Sequence, residues 1–234
     1  MYKYVLLSTL VLSTLVSAKA EEQTQVSLKN NKIFYEGLLT EDANLKLLSL
    51  LEKSAGSIEW ISIKSKGGEV NKGMDLAEII FKNKLGVEVI DYCLSSCANY
   101  VFSSASKRRI SNHAVIGFHG GTTGMAEVAE DTLKKLPEAQ QKAARAGFDE
   151  YLKAASSREE NFFKMIGVDQ KITYLGQNPG YQQELDSGDY SGWYYELDDL
   201  EKLGLGNISV IDPPWEFKQL SDKVQFFKAS AEGI

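Results

Sequence analysis

From Ile58 onward the chain alternates between strand-like and helix-like patterning, and that alternation limits it to few folds. Ile58 to Ile63 is a short apolar run, and Val70 to Lys84 carries Met74, Ala77, Ile79, Ile80 and Phe81 on or near one helical side. Leu85 to Tyr92 then alternates Val87, Val89 and Asp91 with Glu88, Ile90 and Tyr92 behind Gly86. The next stretch, ANYVF, is helix-compatible, and Ala114 to Phe118 reads as a third apolar strand. An order of strand, helix, strand, helix, strand predicts right-handed crossovers and a mostly parallel sheet, whose ligands gather beyond the carboxyl ends of the strands. The expected class is α/β.

Three elements stand at such ends: Gly67-Gly68, Ser95 and His119. A serine hydroxyl is a poor nucleophile near neutral pH, so it needs a base within reach and donors for the oxyanion that forms. Ser95, at the turn where a strand hands over to a helix, lies beneath the first free amides of that helix. The plainer reading, that Ser95 or Ser96 only caps the helix, has the common role of serine behind it. The chain has two histidines; His119 ends an apolar strand beside two glycines, whereas His113 sits in the polar turn before it. The backbone amides of Gly68 and Ser96 are the candidate oxyanion donors, and Gly67-Gly68 lets a substrate approach the backbone closely.

Around this centre, Glu21 to Leu28 reads as polar and frayed, Ile33 to Glu36 as a short strand, and Thr40 as the cap of a helix drawing on Leu45, Leu47, Leu48, Leu50 and Leu51. Ser103 to Asn112 reads as a polar turn region, its Lys107-Arg108-Arg109 cluster solvated. Residues 127–166 are helix-rich, broken by Pro137, and form a long arm with Phe148, Tyr151, Leu152 and Phe162 as anchors. Pro179 to Gly192 is turn-rich, Tyr195 to Leu203 a helix ended by Gly204, and Asn207 to Ile211 a closing strand. The tail, 213–234, carries Trp215 and Phe226-Phe227 as packing anchors.

MYKYVLLSTLVLSTLVSAKA has Lys3, an apolar run from Val5 to Val16 and a small-x-small Ala18-Lys19-Ala20, the pattern of a signal peptide cleaved after Ala20. The expected product is a single exported domain, 21–234, periplasmic or secreted. Of 26 basic and 32 acidic residues the leader removes only Lys3 and Lys19, leaving a net charge of −8 that argues against nucleic acid as a partner. Cys93 and Cys97 are the only cysteines and bracket the serine turn; export favours a disulfide between them, which would hold Ser95 in one conformation. Two cysteines and two histidines without close pairing do not make a closed zinc site, so no metal is expected.

Taken together, SKGGEVNKGMDLAEII, YCLSSCANYVF and AVIGFHGG resemble the Clp protease proteolytic subunit and crotonase superfamily, closest to its exported, Clp-like members. The resemblance covers roughly Ile58 to Gly121, more weakly the Glu196 to Asn207 helix and turn, and implies repeated ββα units with a helical arm. It maps the nucleophile onto Ser95, the base onto His119 and the oxyanion hole onto Gly68 and Ser96. Lys66 stands where the Clp loop usually has proline. The third triad member of that family, an aspartate, falls by counting back from Gly204 near Gly192-Trp193, where no carboxylate stands; Asp189 is the nearest candidate, with Asp186, Asp169 and Glu196 behind it.

The leading expectation is an exported serine hydrolase acting as a peptidase, with no cofactor and with peptides or unfolded proteins as substrates. An ATPase partner is not expected, since an exported protein meets no ATP pool, and export likewise disfavours crotonase-type acyl-CoA chemistry. The resemblance also implies self-association, a homo-oligomer built through the arm. The alternative is a catalytically weak or inactive module binding peptide along the Gly67-Gly68 edge by strand addition.

Overall fold

A computed structural model describes residues 23–54 and 56–232; the expected leader lies outside them. The chain is mixed α/β. Strands β1 (Gln25–Lys29) and β2 (Lys32–Glu36) form an antiparallel hairpin. Helix α1 (Glu41–Lys53) follows, capped by Thr40, whose hydroxyl accepts from the Ala43 amide at 3.3 Å. Then come β3 (Trp60–Ser65), α2 (Val70–Lys82), β4 (Gly86–Leu94) and a buried π-helical segment, Cys97–Phe102, called here the serine helix. Strands β5 (Lys107–Ser111) and β6 (Val115–Gly117) precede the arm, α3 (Met125–Lys134) and α4 (Glu138–Ile166). Beyond it lie α5 (Gln182–Ser187), β7 (Gly192–Tyr194), α6 (Leu197–Lys202), β8 (Ile208–Ile211) and β9 (Phe226–Lys228).

Seven strands make one sheet in the order β1-β2-β3-β4-β5-β8, with β6 continuing alongside the end of β4. Every pairing in it except the β1–β2 hairpin is parallel, as strand–helix–strand alternation requires. Inward-facing Ile33, Ile61, Ile63 and Val87 pack under Leu47, Met74 and Ile80 of the helices, all at most 2% exposed. β7 and β9 form a second, two-stranded sheet, joined to the first where Phe118 and Trp193 exchange hydrogen bonds, each of 2.8 Å.

The structure corrects several expectations. The segment expected to fray holds β1, because Asn30 and Asn31, with φ of 50° and 56°, build the two-residue turn that closes a hairpin. Helix α2 ends two residues early: Lys84 takes a φ of 52° and the Asn83 side chain donates to the Ile79 carbonyl, closing the helix. The expected Tyr195 helix starts only at Leu197, Tyr195 being buried with its hydroxyl donating to the Ile172 carbonyl. The turn-rich stretch before Gly192 contains α5, and the Phe226-Phe227 pair of the tail lies in β9.

The largest correction concerns Lys107-Arg108-Arg109, which is the start of β5 rather than a solvated turn. Strand alternation sends Lys107 and Arg109 outward over the Trp60 ring, 4.7 and 4.3 Å from its centroid, and Arg108 inward. Buried Arg108 donates to the carbonyls of Phe102 (2.8 Å), Ser103 (2.6 Å) and Gly206 (2.7 Å), two of them at the end of the serine helix. A guanidinium there complements the negative end of the helix dipole. Burial lowers its pKa to about 10.

The arm is tied to α2 rather than standing free. Arg158 donates to the Asn71 carbonyl at 3.2 Å and to Asp75 and Glu78 at 2.8 Å each, while Phe162 and Phe163 enter the main core.

Candidate active site

At the end of β4 the backbone turns sharply, and Ser95 adopts a φ of 57°. The left-handed region costs a non-glycine residue about 1–2 kcal/mol, so it persists only where the surroundings fix it. Here the Ser95 amide donates to the Gly117 carbonyl and the Ser95 carbonyl accepts from Asn99, both at 2.8 Å. The side chain therefore stands at a strand-to-helix elbow.

A disulfide closes that elbow, joining Cys93 and Cys97 with their Cα atoms 5.2 Å apart and both side chains fully buried. A cross-link over so short a loop contributes about 2 kcal/mol. The Cys93→Ala/Cys97→Ala double variant is accordingly expected to unfold at lower denaturant, by that amount in a urea titration. An unchanged midpoint would mean that the elbow holds itself without the bond.

The loop after β3 reaches the same elbow. Gly67 has a φ of 93°, and a Cβ on it would meet the Leu94 carbonyl oxygen at 2.7 Å and the Ser95 Cβ at 2.8 Å. Only glycine admits so close an approach. Leu39 donates to the Gly67 carbonyl at 2.9 Å and Ser96 Oγ to the Gly68 carbonyl at 2.8 Å, which fixes the loop from both sides. Among the described residues neither the Gly68 nor the Ser96 amide is engaged in a hydrogen bond. Two unsatisfied amides beside a serine are what an oxyanion needs.

His119 arrives through β6. Leu94 pairs with Gly117, so the residues that follow, Ser95 and Phe118, leave the sheet side by side and His119 comes next. The loop behind it is held by Asn99, whose Nδ2 donates to the Gly120 carbonyl at 2.7 Å. The ring opens onto a cavity, yet the surrounding protein desolvates it enough to lower its pKa below the usual 6.5. His113 is elsewhere, exposed, with Nδ1 2.8 Å from Asn112 Oδ1.

Gly68, Ser95, Ser96 and His119 line one cavity of about 510 Å³. Its remaining wall is largely apolar, with Val70 from α2, Met125, Ala129 and Leu133 from α3, and Phe148 from α4. The polar exceptions include Gln177 and the Glu69–Tyr151 pair, in which the Tyr151 hydroxyl donates to the carboxylate. Burial works against the Glu69 charge, but hydrogen bonds from Tyr151, Asn71 and the Lys72 amide outweigh it and hold the pKa below the ordinary carboxylate range. Among the described residues no three His, Cys, Asp and Glu side chains converge as a metal would require.

The one carboxylate on the cavity among the described residues, Glu69, is engaged by Tyr151, Asn71 and Lys72 rather than by His119. Among the described residues, no carboxylate hydrogen-bonds to His119, and the ring makes no hydrogen bond to Ser95 Oγ. Asp189, expected as the orienting acid, lies on the exposed turn after α5, off the cavity, its amide donating to Ser187 Oγ at 3.1 Å. Asp186 accepts from Gln182, Asp169 caps the turn at Gln170–Thr173, and Glu196 lies 3.9 Å from Lys228. Gly192, near where the resemblance would put the orienting acid, abuts the backbone side of His119: a Cβ there would lie 3.0 Å from the His119 Cβ.

The sequence reading did not single out Asn99, Gln177 or Glu159. Only Glu159 leaves a local signal, as a carboxylate at i+4 from Ala155 on the stripe that Phe162 and Phe163 continue. No protein-family model matches the chain, and no curated protein matches it.

Proposed function

We propose that the protein is an exported serine hydrolase of the Clp/crotonase kind, acting on peptides or loosely folded proteins through a serine–histidine pair. The observation that carries this reading is Ser95 held at a φ of 57° between two free amides, with His119 on the same cavity. Ser95 Oγ attacks the substrate carbonyl carbon and passes its proton to the imidazole of His119. The carbonyl oxygen, now an oxyanion, accepts from the Gly68 and Ser96 amides. The imidazolium returns the proton to the leaving amine, and water then hydrolyses the acyl-serine by the same route. The apolar wall formed by Val70, Met125, Leu133 and Phe148 suits a bulky apolar side chain next to the scissile carbonyl.

A fluorophosphonate probe tests this directly. Treatment of the oxidised protein, followed by peptide mapping, is expected to place the adduct on Ser95. A folded protein that takes up no probe would refute the hydrolase reading. The second reading, a peptide-binding module of the same fold, draws support from the bare histidine: no carboxylate on its ring and no hydrogen bond to Ser95 among the described residues. Peptide binding that survives Ser95→Ala, without probe uptake by the wild type, is its signature.

A further inference from the structure

Glu159 is 0% exposed, on the face of α4 that also buries Ala155, Phe162 and Phe163. A carboxylate in such a place is costly unless it is paired or hydrogen-bonded. Among the described residues no lysine or arginine pairs with it; four donor groups converge on it instead. Tyr100 Oη donates at 2.5 Å, Thr122 Oγ1 at 2.5 Å, the Thr122 amide at 3.2 Å and Gln170 Nε2 at 3.0 Å.

Three of these donor groups, from two residues, belong to the elements that carry the site. Tyr100 is in the serine helix, and Thr122 is three residues beyond His119. Between His119 and Thr122 the backbone rests on the carboxylate itself, since a Cβ on Gly121 would lie 2.3 Å from Glu159 Oε1. Asn99 holds the same loop at Gly120. The loop is thus clamped to the serine helix at two points, while among the described residues no carboxylate hydrogen-bonds to the imidazole.

We propose that Glu159 is a positioning residue for His119: it fixes the Gly120–Thr122 loop, and with it the backbone that carries the imidazole, against the serine helix. The catalytic part of this inference rests on the hydrolase reading. The titratable group facing Glu159 is Tyr100, from the serine helix; burial first, and the Glu159 charge second, push its hydroxyl well above the usual value, so it remains a donor. The titratable groups sharing the cavity with His119 are Glu69, at the start of α2, and Tyr151 of α4.

Glu159→Gln keeps the shape and removes the charge. Two readouts follow: the proton NMR titration of the His119 ring, distinguished from His113 by a His113→Ala background, and the rate of fluorophosphonate labelling. A loosened loop lets water reach the ring and relieves the desolvation that lowers the His119 pKa, so its midpoint is expected to rise toward 6.5, by on the order of 0.5 pH units. Labelling is expected to slow by about 10- to 100-fold, as for a mispositioned base. Should Glu159→Gln fail to fold, Thr122→Val releases the loop from the carboxylate, with slower labelling and the same upward shift of the His119 midpoint expected. A folded Glu159→Gln protein with both readouts unchanged overturns the proposal, as does Thr122→Val with wild-type labelling where it stands in. A wild type that does not label, paired with a shifted His119 midpoint in Glu159→Gln, refutes the hydrolase reading alone and leaves the link between Glu159 and His119 in place.

Discussion

Ser95→Ala is expected to abolish peptide hydrolysis, a loss of about 10⁴-fold or more, and His119→Ala to cost about 10²- to 10⁴-fold. Nucleophile and base act as one unit, so the double variant is expected to be no slower than Ser95→Ala alone. The pH profile separates a working base from a bystander. His119 must be neutral to accept the Ser95 proton, and desolvation in the cavity wall lowers its pKa below the ordinary 6.5. The neutral form therefore persists to lower pH, and kcat/KM is expected to rise with pH and reach half its plateau below 6.5. A half-point above that value would mean that a nearby negative charge outweighs desolvation in the free enzyme. Loss of the acid limb in His119→Ala, with residual activity following hydroxide, would identify His119 as its source.

The parts of this site that the sequence displays are those set by local patterning. Gly68, Ser95 and His119 each follow an apolar strand, and in a parallel sheet three strand ends are brought together by topology alone. What stayed hidden depends on partners remote in the chain. Arg108 looks like part of a solvated basic cluster because the carbonyl of Gly206 that helps to hold it lies far along the sequence. Glu159 sits in a helix that reads as an amphipathic arm, and only the fold reveals Tyr100 and Thr122 above it. The β1 strand is concealed for another reason: its residues are mostly exposed, and the Asn30-Asn31 turn is a weaker hairpin signal than a glycine turn. Counting back from Gly204 leads to Gly192, which abuts His119, but nearness along the chain to Asp189 does not bring that carboxylate to the ring.

Gly192 frames the second large effect. Placing an aspartate there looks like the repair that would give His119 an orienting acid, yet Gly192→Asp is expected to inactivate and destabilise the protein. Gly192 has a φ of 154°, and a Cβ on it would lie 2.0 Å from the Phe118 carbonyl oxygen, far inside contact distance. To relieve that overlap β7 must withdraw from Phe118, breaking the two 2.8 Å hydrogen bonds that Phe118 and Trp193 exchange. Trp193 would move with it, and its indole, 1% exposed, packs where a Cβ on Gly176 would meet it at 2.1 Å. Strain, two lost hydrogen bonds and a disturbed tryptophan together are expected to cost about 3–5 kcal/mol, at the severe end for a single substitution. Thermal unfolding followed by tryptophan fluorescence measures the loss, and the rate of probe labelling reports whether His119 has been displaced. A Gly192→Asp protein that is as stable as the wild type and labels faster would show that the strand yields easily and that the missing acid alone limits the site.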